Sequence, residues 1–404
     1  MNTIFLVFNC GSSSQSYKVY QGDQKGKLTV IASGKAYHVG VKTQEEAYLV
    51  HHIDGESTRL TQALPDHRVA ANAILDFLLE HHGEISWVGH RFVHGGDKFP
   101  SSVLVTSQTM LQLHECLDLA PIHNPNSLSV IEVCVERLPQ ARQYVTFDTA
   151  FHASLPEYVY RYALPVKLTN QFNLRKYGFH GLSYQYVSQR AAQFLQRPLD
   201  GLKLVACHLG TGGSSVVAMA DGHSVETSMG YSPLPGLMMS TRSGDLDPSI
   251  LLTLIERHGF SAEQLNHMLN KESGLLGVSG ISSDLFELVH LVNESKNPQA
   301  QLAVEMYTHR LKSYIGAYIA VLGGLDVLIF TDDIGVRLWQ IRQAACRGME
   351  YCGMVLDQYR NQQSVEDQPL LVSAQESKVK ILVIPTDEEF VIAQEGVRLL
   401  ALNS

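Results

Sequence analysis

Apolar runs that end in small or polar residues recur along the chain and predict strands that lead into turns. Three such runs are IFLVFNCGSSS from residue 4, KLVACHLGTGGSS from residue 203 and LDVLIFTDDIG from residue 325. The first two continue into strand-like YKVY and VVAM, so each predicts a β-hairpin with a small-residue turn whose N–H groups can face a cavity. Gly/Ser-rich hairpins can be purely structural, but two of matching layout favour a duplicated domain.

Other stretches have the periodicity of helices that alternate with strands. Residues 302–322 place their apolar side chains on one helical face, and a Gly-Gly pair then precedes a predicted strand at Val327–Phe330. The segment from Arg68 predicts a second amphipathic helix that ends at Gly83, before the predicted strand in WVGHRFVHGG. This alternation predicts an α/β fold with sheets covered by helices.

Length and composition narrow the class of protein. A chain of 404 residues is long enough for two domains, which we expect at residues 1–150 and 151–385, with a C-terminal helix at 386–404 packed on the first. A net charge of -9 argues against nucleic-acid or anionic-membrane partners. Six scattered cysteines without a C-x-x-C pair predict free buried thiols, and the start of the chain has no signal-peptide pattern, so we expect a cytoplasmic location.

Several polar residues stand at predicted strand ends or in turns, where reactive groups are common. They are Arg91, His123, Asp148, His180, Arg242 and Glu388. Each alone has a structural explanation, but the set suits phosphoryl transfer. Arginine forks match phosphoryl and carboxylate oxygens, imidazoles donate to the transferring group, and carboxylate and amide oxygens are ligands for Mg²⁺.

Sequence blocks across the whole chain resemble the acetate kinase family. They are NCGSSS, GHRFVHGG, APIHNPNS, FDTAFH, YGFHGLSYQYV, CHLGTGGSS, SMGYSPLPGLMMSTRSGDLDP, SGLLGVSGISSDL and KVKILVIPTDEE, in the family's order. The resemblance implies an α/β fold of two duplicated actin/sugar-kinase-like (ribonuclease H-like) domains around a cleft. It also implies phosphoryl transfer between a nucleotide and acetate, and pairing into homodimers through the second domain.

The resemblance assigns roles to individual positions. Asn9 and Glu388 match the magnesium-site residues, which also implies Mn²⁺ as a substitute. Arg91, Arg242, Asp148, His180 and the supporting His123 match the catalytic residues. A small pocket for the methyl group of acetate matches Val93, Ile122, Phe179 and Pro233. The phosphate-binding turns match Ser12, Ser14, His208, Gly210, Thr211, Gly212 and Gly213.

Departures from the family pattern fall on the nucleotide half of the expected site. The usual lysine of the first hairpin is replaced by Ser16, with Lys18 two residues on, and DDIGVRL replaces the small-residue loop GIGEN. Thr211 also replaces a usual asparagine. The former nucleotide site, which includes these changed positions and their neighbours in the same loops, comprises Ser16, Asp284, Phe286, Asp332, Asp333 and Gly335. Carboxylates near a polyphosphate repel it, which predicts a lost or weakened adenosine site.

The departures are similar to those of the pyrophosphate-linked branch of the family known from Entamoeba. The main hypothesis is therefore reversible phosphoryl transfer between acetyl phosphate and inorganic phosphate, giving acetate and pyrophosphate. One alternative is an ordinary ATP-dependent acetate or propionate kinase, since one methylene changes binding by only about 1–3 kcal/mol. Another is an inactive sensor of phosphate or acetyl phosphate, against which the intact catalytic set argues.

Overall fold

The computed structural model describes residues 3–23, 26–41, 45–81 and 84–402, and the chain divides into two compact units. The first unit comprises Met1–Phe151 and Asp387–Ser404, and the second comprises His152–Thr386. Gly83, the expected end of the first long helix, lies outside the described residues.

The first unit contains one sheet and the helices that pack on it. Its strands are β1 (Thr3–Cys10), β2 (Ser14–Gly22), β3 (Leu28–Tyr37), β4 (Tyr48–Ile53), β5 (Glu56–Thr61), β6 (Trp87–Phe92), β7 (Val103–Leu104) and β8 (Arg142–Phe147). Its helices are α1 (His67–His81), α2 (Ser107–His114), α3 (Asn124–Arg137) and the C-terminal α15 (Glu388–Leu402). The described sheet has the order β5-β4-β3-β2-β1-β6-β8-β7.

The apolar first strand lies in the middle of this sheet. β1 pairs antiparallel with β2 and parallel with β6, and most of its side chains are buried. A strand covered on both faces needs the near-continuous apolar sequence that β1 has. In contrast, every residue of the edge strand β5 is exposed, and its sequence ESTRLT is correspondingly polar.

The second unit has its own sheet and most of the helices. Its strands are β9 (Lys203–Gly210), β10 (Gly213–Ala220), β11 (His223–Thr227), β12 (Val327–Thr331), β13 (Leu370–Leu371) and β14 (Lys380–Val383). Its helices are α4 (Glu157–Tyr160), α5 (Val166–Gln171), α6 (Gly181–Leu195), α7 (Pro248–His258), α8 (Ala262–His267), α9 (Gly274–Ser279), α10 (Leu285–Ser295), α11 (Pro298–Leu322), α12 (Asp332–Arg337), α13 (Trp339–Cys346) and α14 (Gln358–Asn361). The described sheet has the order β11-β10-β9-β12-β14-β13.

The two sheets repeat one pattern of strand pairing. In the first, β1 is antiparallel to β2 and parallel to β6, which is parallel to β8. In the second, β9 is antiparallel to β10 and parallel to β12, which is parallel to β14. Both predicted hairpins are therefore confirmed, and the duplication inferred from their layout is present in the strand order.

The predicted helix at 302–322 is part of the longer α11, whose ends follow local chemistry. The side chain of Asn297 accepts the N–H groups of Gln299 and Ala300 at 3.0 Å each, and Pro298 occupies the first turn. Gly323 ends the helix in the left-handed conformation, with φ of 63°. The buried face of α11 contributes to the main apolar core of the second unit.

The cysteines are free thiols, and all are buried except the half-buried Cys352. None of the helices in the described ranges combines the length and the apolar character that crossing a bilayer requires.

We expect the stability of the first unit to fall in acid, because His90 is buried as a neutral imidazole. His90 Nε2 lies 2.8 Å from Gln143 Oε1, and Nδ1 has no hydrogen-bond partner. Burial lowers the pKa of His90 from 6.5 to about 4. The unfolded chain thus binds a proton more readily, so stability is full above pH 6.5 and falls by roughly 3 kcal/mol as the pH drops through about 4.

Urea unfolding of the wild type and of His90→Gln between pH 7.5 and 4 tests this expectation. The substitution should reduce the slope of unfolding free energy against pH, whereas His114→Gln, at a side chain that is 52% exposed, should leave the slope unchanged. Equal slopes in the wild type and His90→Gln would contradict it.

Candidate active site

A largely buried charge pair of the first unit joins the ends of two parallel strands. Arg91 on β6 donates from Nε to Asp148 Oδ1 at 2.8 Å and from Nη2 to Asp148 Oδ2 at 2.6 Å. Asp148 directly follows β8 and is 1% exposed. Although burial disfavours the charge of Arg91, the carboxylates of Asp148 and Glu388 raise its pKa above the ordinary value. The Arg91 guanidinium is therefore a charged fork held on both oxygens of Asp148.

Asn9, at the end of β1, connects this pair to the start of α15. Its Oδ1 accepts from Arg91 Nη1 at 3.0 Å, and its Nδ2 donates to Glu388 Oε2 and Glu389 Oε1 at 3.2 Å each. Glu388 also lies 3.6 Å from Arg91 Nη1. The structure thus brings together the sequence-predicted residues Asn9, Arg91, Asp148 and Glu388.

A second acidic residue, Glu389, contacts Ser16 and Lys18 on the first hairpin. Ser16 Oγ donates to Glu389 Oε1 at 2.7 Å, and Lys18 Nζ lies 3.9 Å from Glu389 Oε2 and 2.8 Å from Asp387 Oδ1. Burial would raise the pKa of Glu389, but Lys18 and the hydrogen bonds from Ser16 and Asn9 lower it. Ser16 and Lys18 are two residues apart on β2, so their side chains lie on the same face of the strand, and both contact Glu389.

The remaining predicted residues of the first unit lie in the first hairpin and near the start of α3. Ser12 lies in the turn between β1 and β2, and Ser14 is the first residue of β2, whose carbonyl accepts from Gly11 N at 2.8 Å. His123 precedes α3 and is half-buried. Val93 is buried, whereas Ile122 is 49% exposed.

Two stacked imidazoles form the centre of the candidate site in the second unit. His180 and His208 have ring centroids 4.0 Å apart. His180 is the residue before α6, with the left-handed φ of 60°, and its Nδ1 lies 2.8 Å from Ser215 Oγ, which also bonds Tyr184 Oη. His208 Nδ1 lies 2.9 Å from Ser183 Oγ, so a serine hydroxyl positions each of the two rings.

Arg242 and His180 approach the same glycine, Gly213, at the start of β10 in the second hairpin. A Cβ built on Gly213 would lie 3.4 Å from Arg242 Nη1 and 3.6 Å from His180 Nε2. Burial lowers the pKa of Arg242 from its ordinary value. The sequence-predicted Arg242, His180, His208 and Gly213 are thus neighbours in the second unit.

The twin aspartates at the start of α12 bind this same hairpin. Asp332 Oδ2 lies 3.1 Å from His208 Nε2, and a Cβ on Gly210 would collide with the Asp332 carboxylate. Asp333 Oδ1 accepts from Thr211 N, and Asp333 Oδ2 accepts from Thr211 Oγ1, both at 2.9 Å. Both carboxylates therefore contact residues in or beside the glycine-rich turn.

The other residues predicted for the former nucleotide site make contacts within and around α10 and α12. Arg337 lies over the ring of Phe286 at 4.7 Å, and Asp284 caps α10 by accepting from Phe286 N at 2.8 Å. Gly335 O accepts from the buried Arg342 at 2.9 Å. Phe179 is buried, Pro233 is half-buried, and Gly212 is exposed in the β9–β10 turn.

Sequence reasoning missed the residues that orient the predicted ones. Glu389, Ser215 and Arg342 each bond a predicted residue but belong to no phosphoryl-transfer pattern. The acidic run DEE at 387–389, at the start of a helix, is the one signal that could have identified Glu389. Within the described ranges, no cluster of three or more His, Cys, Asp or Glu side chains has the arrangement of a metal site.

Comparison with known proteins identifies the relatives of this chain. The Acetokinase family matches residues 4–394. The chain is 44% identical over 403 residues to the acetate kinase of Desulfitobacterium hafniense, covering 98% of each. The crystal structure of Porphyromonas gingivalis acetate kinase is 41% identical, has a TM-score of 0.89, and matches 98% of this chain and 100% of its own. That of Entamoeba histolytica acetate kinase has the same identity and TM-score, with 98% and 99% covered.

The two duplicated sheets and the match to solved acetate kinase structures place the fold in the actin and sugar-kinase-like α/β class. Within that class, the chain belongs to the acetate kinase family.

Proposed function

We propose that this chain transfers a phosphoryl group reversibly between a nucleotide and acetate, with acetyl phosphate as the product of the forward reaction. The observation that carries the proposal is the Arg91 fork, fixed on both oxygens of Asp148 and joined through Asn9 to Glu388. This arrangement occurs in a chain related along its whole length to acetate kinases. Propionate is a further expected substrate.

Each charged group has a role that its surroundings support. Arg91 would bind the carboxylate or the transferring group with a guanidinium that Asp148 holds in place. His180 and Arg242, both near Gly213, would stabilise the negative charge that spreads over the phosphoryl oxygens. His123 would support the catalytic set, and Val93, Ile122, Phe179 and Pro233 would limit the acyl group to a short chain. The homodimer and the cytoplasmic location implied by the resemblance stay predictions.

The oxygen atoms around Arg91 fit a partly hydrated magnesium ion. Asn9 and Glu388 offer hard oxygen donors, and Mg²⁺ commonly uses one or two carboxylates plus waters and substrate phosphates, so a dense cluster of ligands is not required. When bound, the ion would neutralise phosphate charge. Asn9 Oδ1 accepts from Arg91, and its Nδ2 faces the carboxylates, so Glu388 is the better direct ligand.

We expect Glu388→Gln to weaken metal binding by about 10–100-fold, because it removes the charge that would attract the cation. Mn²⁺ titration followed by electron paramagnetic resonance measures the affinity directly, and the KM for Mg²⁺ follows it in the reaction. Glu395→Gln, farther along α15 and paired with Arg398, should change neither quantity. Unchanged Mn²⁺ affinity in Glu388→Gln would exclude this residue as the ligand.

A second candidate function uses inorganic phosphate in place of the nucleotide. It is favoured by one observation, the contacts of Asp332 with His208 and of Asp333 with Thr211, which put two carboxylates on the turn expected to bind phosphate. Pyrophosphate would need only the inner phosphate-binding groups, whereas a nucleotide would also need room for its base.

One assay separates the candidates. The protein is incubated with acetyl phosphate and Mg²⁺, together with either ADP or orthophosphate. Formation of ATP supports the nucleotide-dependent enzyme, and formation of pyrophosphate supports the inorganic type. Turnover with neither acceptor rejects both and leaves the sensor hypothesis.

A further inference from the structure

In the glycine-rich turn of the second hairpin, Thr211 is hydrogen-bonded to a carboxylate of the protein itself, that of Asp333. The two oxygens of Asp333 accept separately from the backbone N–H and the hydroxyl of Thr211, at 2.9 Å each. A bidentate contact of an anionic group with an N–H and a hydroxyl in a glycine-rich turn is also how such turns hold phosphate. The Asp333 carboxylate therefore occupies donors that a phosphate oxygen would use.

The contact is built into the backbone around it. Asp333 Oδ1 also accepts from Ile334 N at 2.8 Å in the first turn of α12, which orients the carboxylate. On the other side, Thr211 O accepts from Ser240 Oγ at 3.1 Å, which fixes the turn. Thr211 and Gly212 are nevertheless exposed, so an anion from solution can reach them.

The neighbouring aspartate acts on a different group. Asp332 lies against His208 Nε2 and reaches it with the left-handed φ of 62°. Asp332 thus approaches an imidazole, whereas Asp333 alone binds the amide of the turn. The two carboxylates can therefore be tested separately.

We propose that Asp333 determines donor specificity by competing, as an internal anion, with the phosphate of the donor for the N–H and hydroxyl of Thr211. This inference rests on the proposed function, in which the β9–β10 turn receives a phosphate. Two anions cannot share the same two donors, and a carboxylate left beside a bound phosphate repels it. A donor binds to Thr211 only when the Asp333 carboxylate has moved away.

The test measures binding without turnover. Titration calorimetry gives the Kd of pyrophosphate, orthophosphate and ADP, each with Mg²⁺, for the wild type and for Asp333→Asn. The amide keeps an acceptor for Thr211 N but removes the charge. We expect at least one of the three ligands to bind roughly tenfold more tightly to Asp333→Asn at low salt, and the gain to shrink at high ionic strength.

Two further variants make the result specific. Asp333→Ser, which shortens the side chain and frees Thr211, should give an equal or larger gain. Asp200→Asn, which removes an exposed carboxylate of the same unit, should leave every Kd unchanged. Unchanged or weaker binding of all three ligands to both Asp333 variants, with thermal unfolding like that of the wild type, would overturn the proposal.

The two proposals fail in different measurements. Failure of the proposed function appears as absence of acetyl phosphate turnover with either acceptor in the wild type. Failure of the Asp333 proposal appears as unchanged affinity in the variants, even in an active enzyme.

Discussion

Arg91→Ala should lower kcat/KM for acetyl phosphate formation by roughly 10²–10³-fold, the usual effect of removing one donor to a transition-state oxygen. The guanidinium lies at the end of β6, and two of its nitrogens are fixed on Asp148, so no neighbouring side chain can replace its geometry. Acetyl hydroxamate formation under steady-state conditions gives the rate.

Arg91→Lys should restore little of this activity. A lysine ammonium is a single point of charge and cannot hold both oxygens of Asp148 while it faces a substrate. If Arg91→Lys stayed within a few-fold of the wild type, the planar fork would not be needed, and the proposed role of Arg91 would be wrong.

Loss of folding is separated from loss of catalysis by a second change. Arg91→Ala leaves Asp148 as a buried, unpaired carboxylate, which typically costs about 3–5 kcal/mol of stability. In Arg91→Ala/Asp148→Asn the buried charge is gone, so stability should largely return while activity does not. Arg137→Ala, which removes an exposed ion pair with Asp76, is the control. It should lower the free energy of unfolding by no more than about 1 kcal/mol and should leave the activity largely unchanged.

Arg342→Met should destabilise the second unit by roughly 3–5 kcal/mol, although Arg342 is far in sequence from the signature blocks. The side chain is 1% exposed and donates to Gly335 O at 2.9 Å, Val336 O at 2.7 Å and Asn361 Oδ1 at 2.7 Å, with a further bond to Asn361 O. Burial lowers its pKa to about 10. Methionine fills a similar volume but leaves these acceptors buried without a donor.

The same substitution should also act on the donor side, because Arg342 fixes the end of α12, the helix that carries Asp332 and Asp333. We expect the KM of the phosphoryl donor to change more than the KM of acetate, and urea unfolding to give the loss of stability. The exposed Arg347, changed to Met, is the matched control and should be neutral. Full stability of Arg342→Met would show that its carbonyl contacts contribute little.

Much of the fold could be predicted from local sequence. β1, β9 and β12 are apolar runs bounded by turn residues, and α11 has a capped helical period, so their existence follows from short-range chemistry. Register and strand order depend on pairings between distant segments, such as β1 with β6, and no local pattern encodes them.

The candidate site shows the same division. Arg91, Asp148, Asn9 and Glu388 could be selected because their sequence blocks resemble a known family. The orientation of these side chains could not be predicted, because it depends on the packing of β1, β6 and α15. Only in the packed structure does Asn9 donate from its amide nitrogen to two carboxylates and accept at its oxygen from Arg91. Glu389, which holds Ser16 and Lys18, was missed for that reason.

By itself the sequence determined the family, the hairpins and the presence of two aspartates in the segment DDIGVRL, because residue type and spacing along the chain carry that information. Only the tertiary structure decided what the two aspartates do. Asp332 binds His208 and Asp333 binds Thr211 because β12 runs parallel beside β9, which places residues more than a hundred positions apart within hydrogen-bonding distance. Contacts of that kind depend on folding in three dimensions, and a linear pattern does not reveal them.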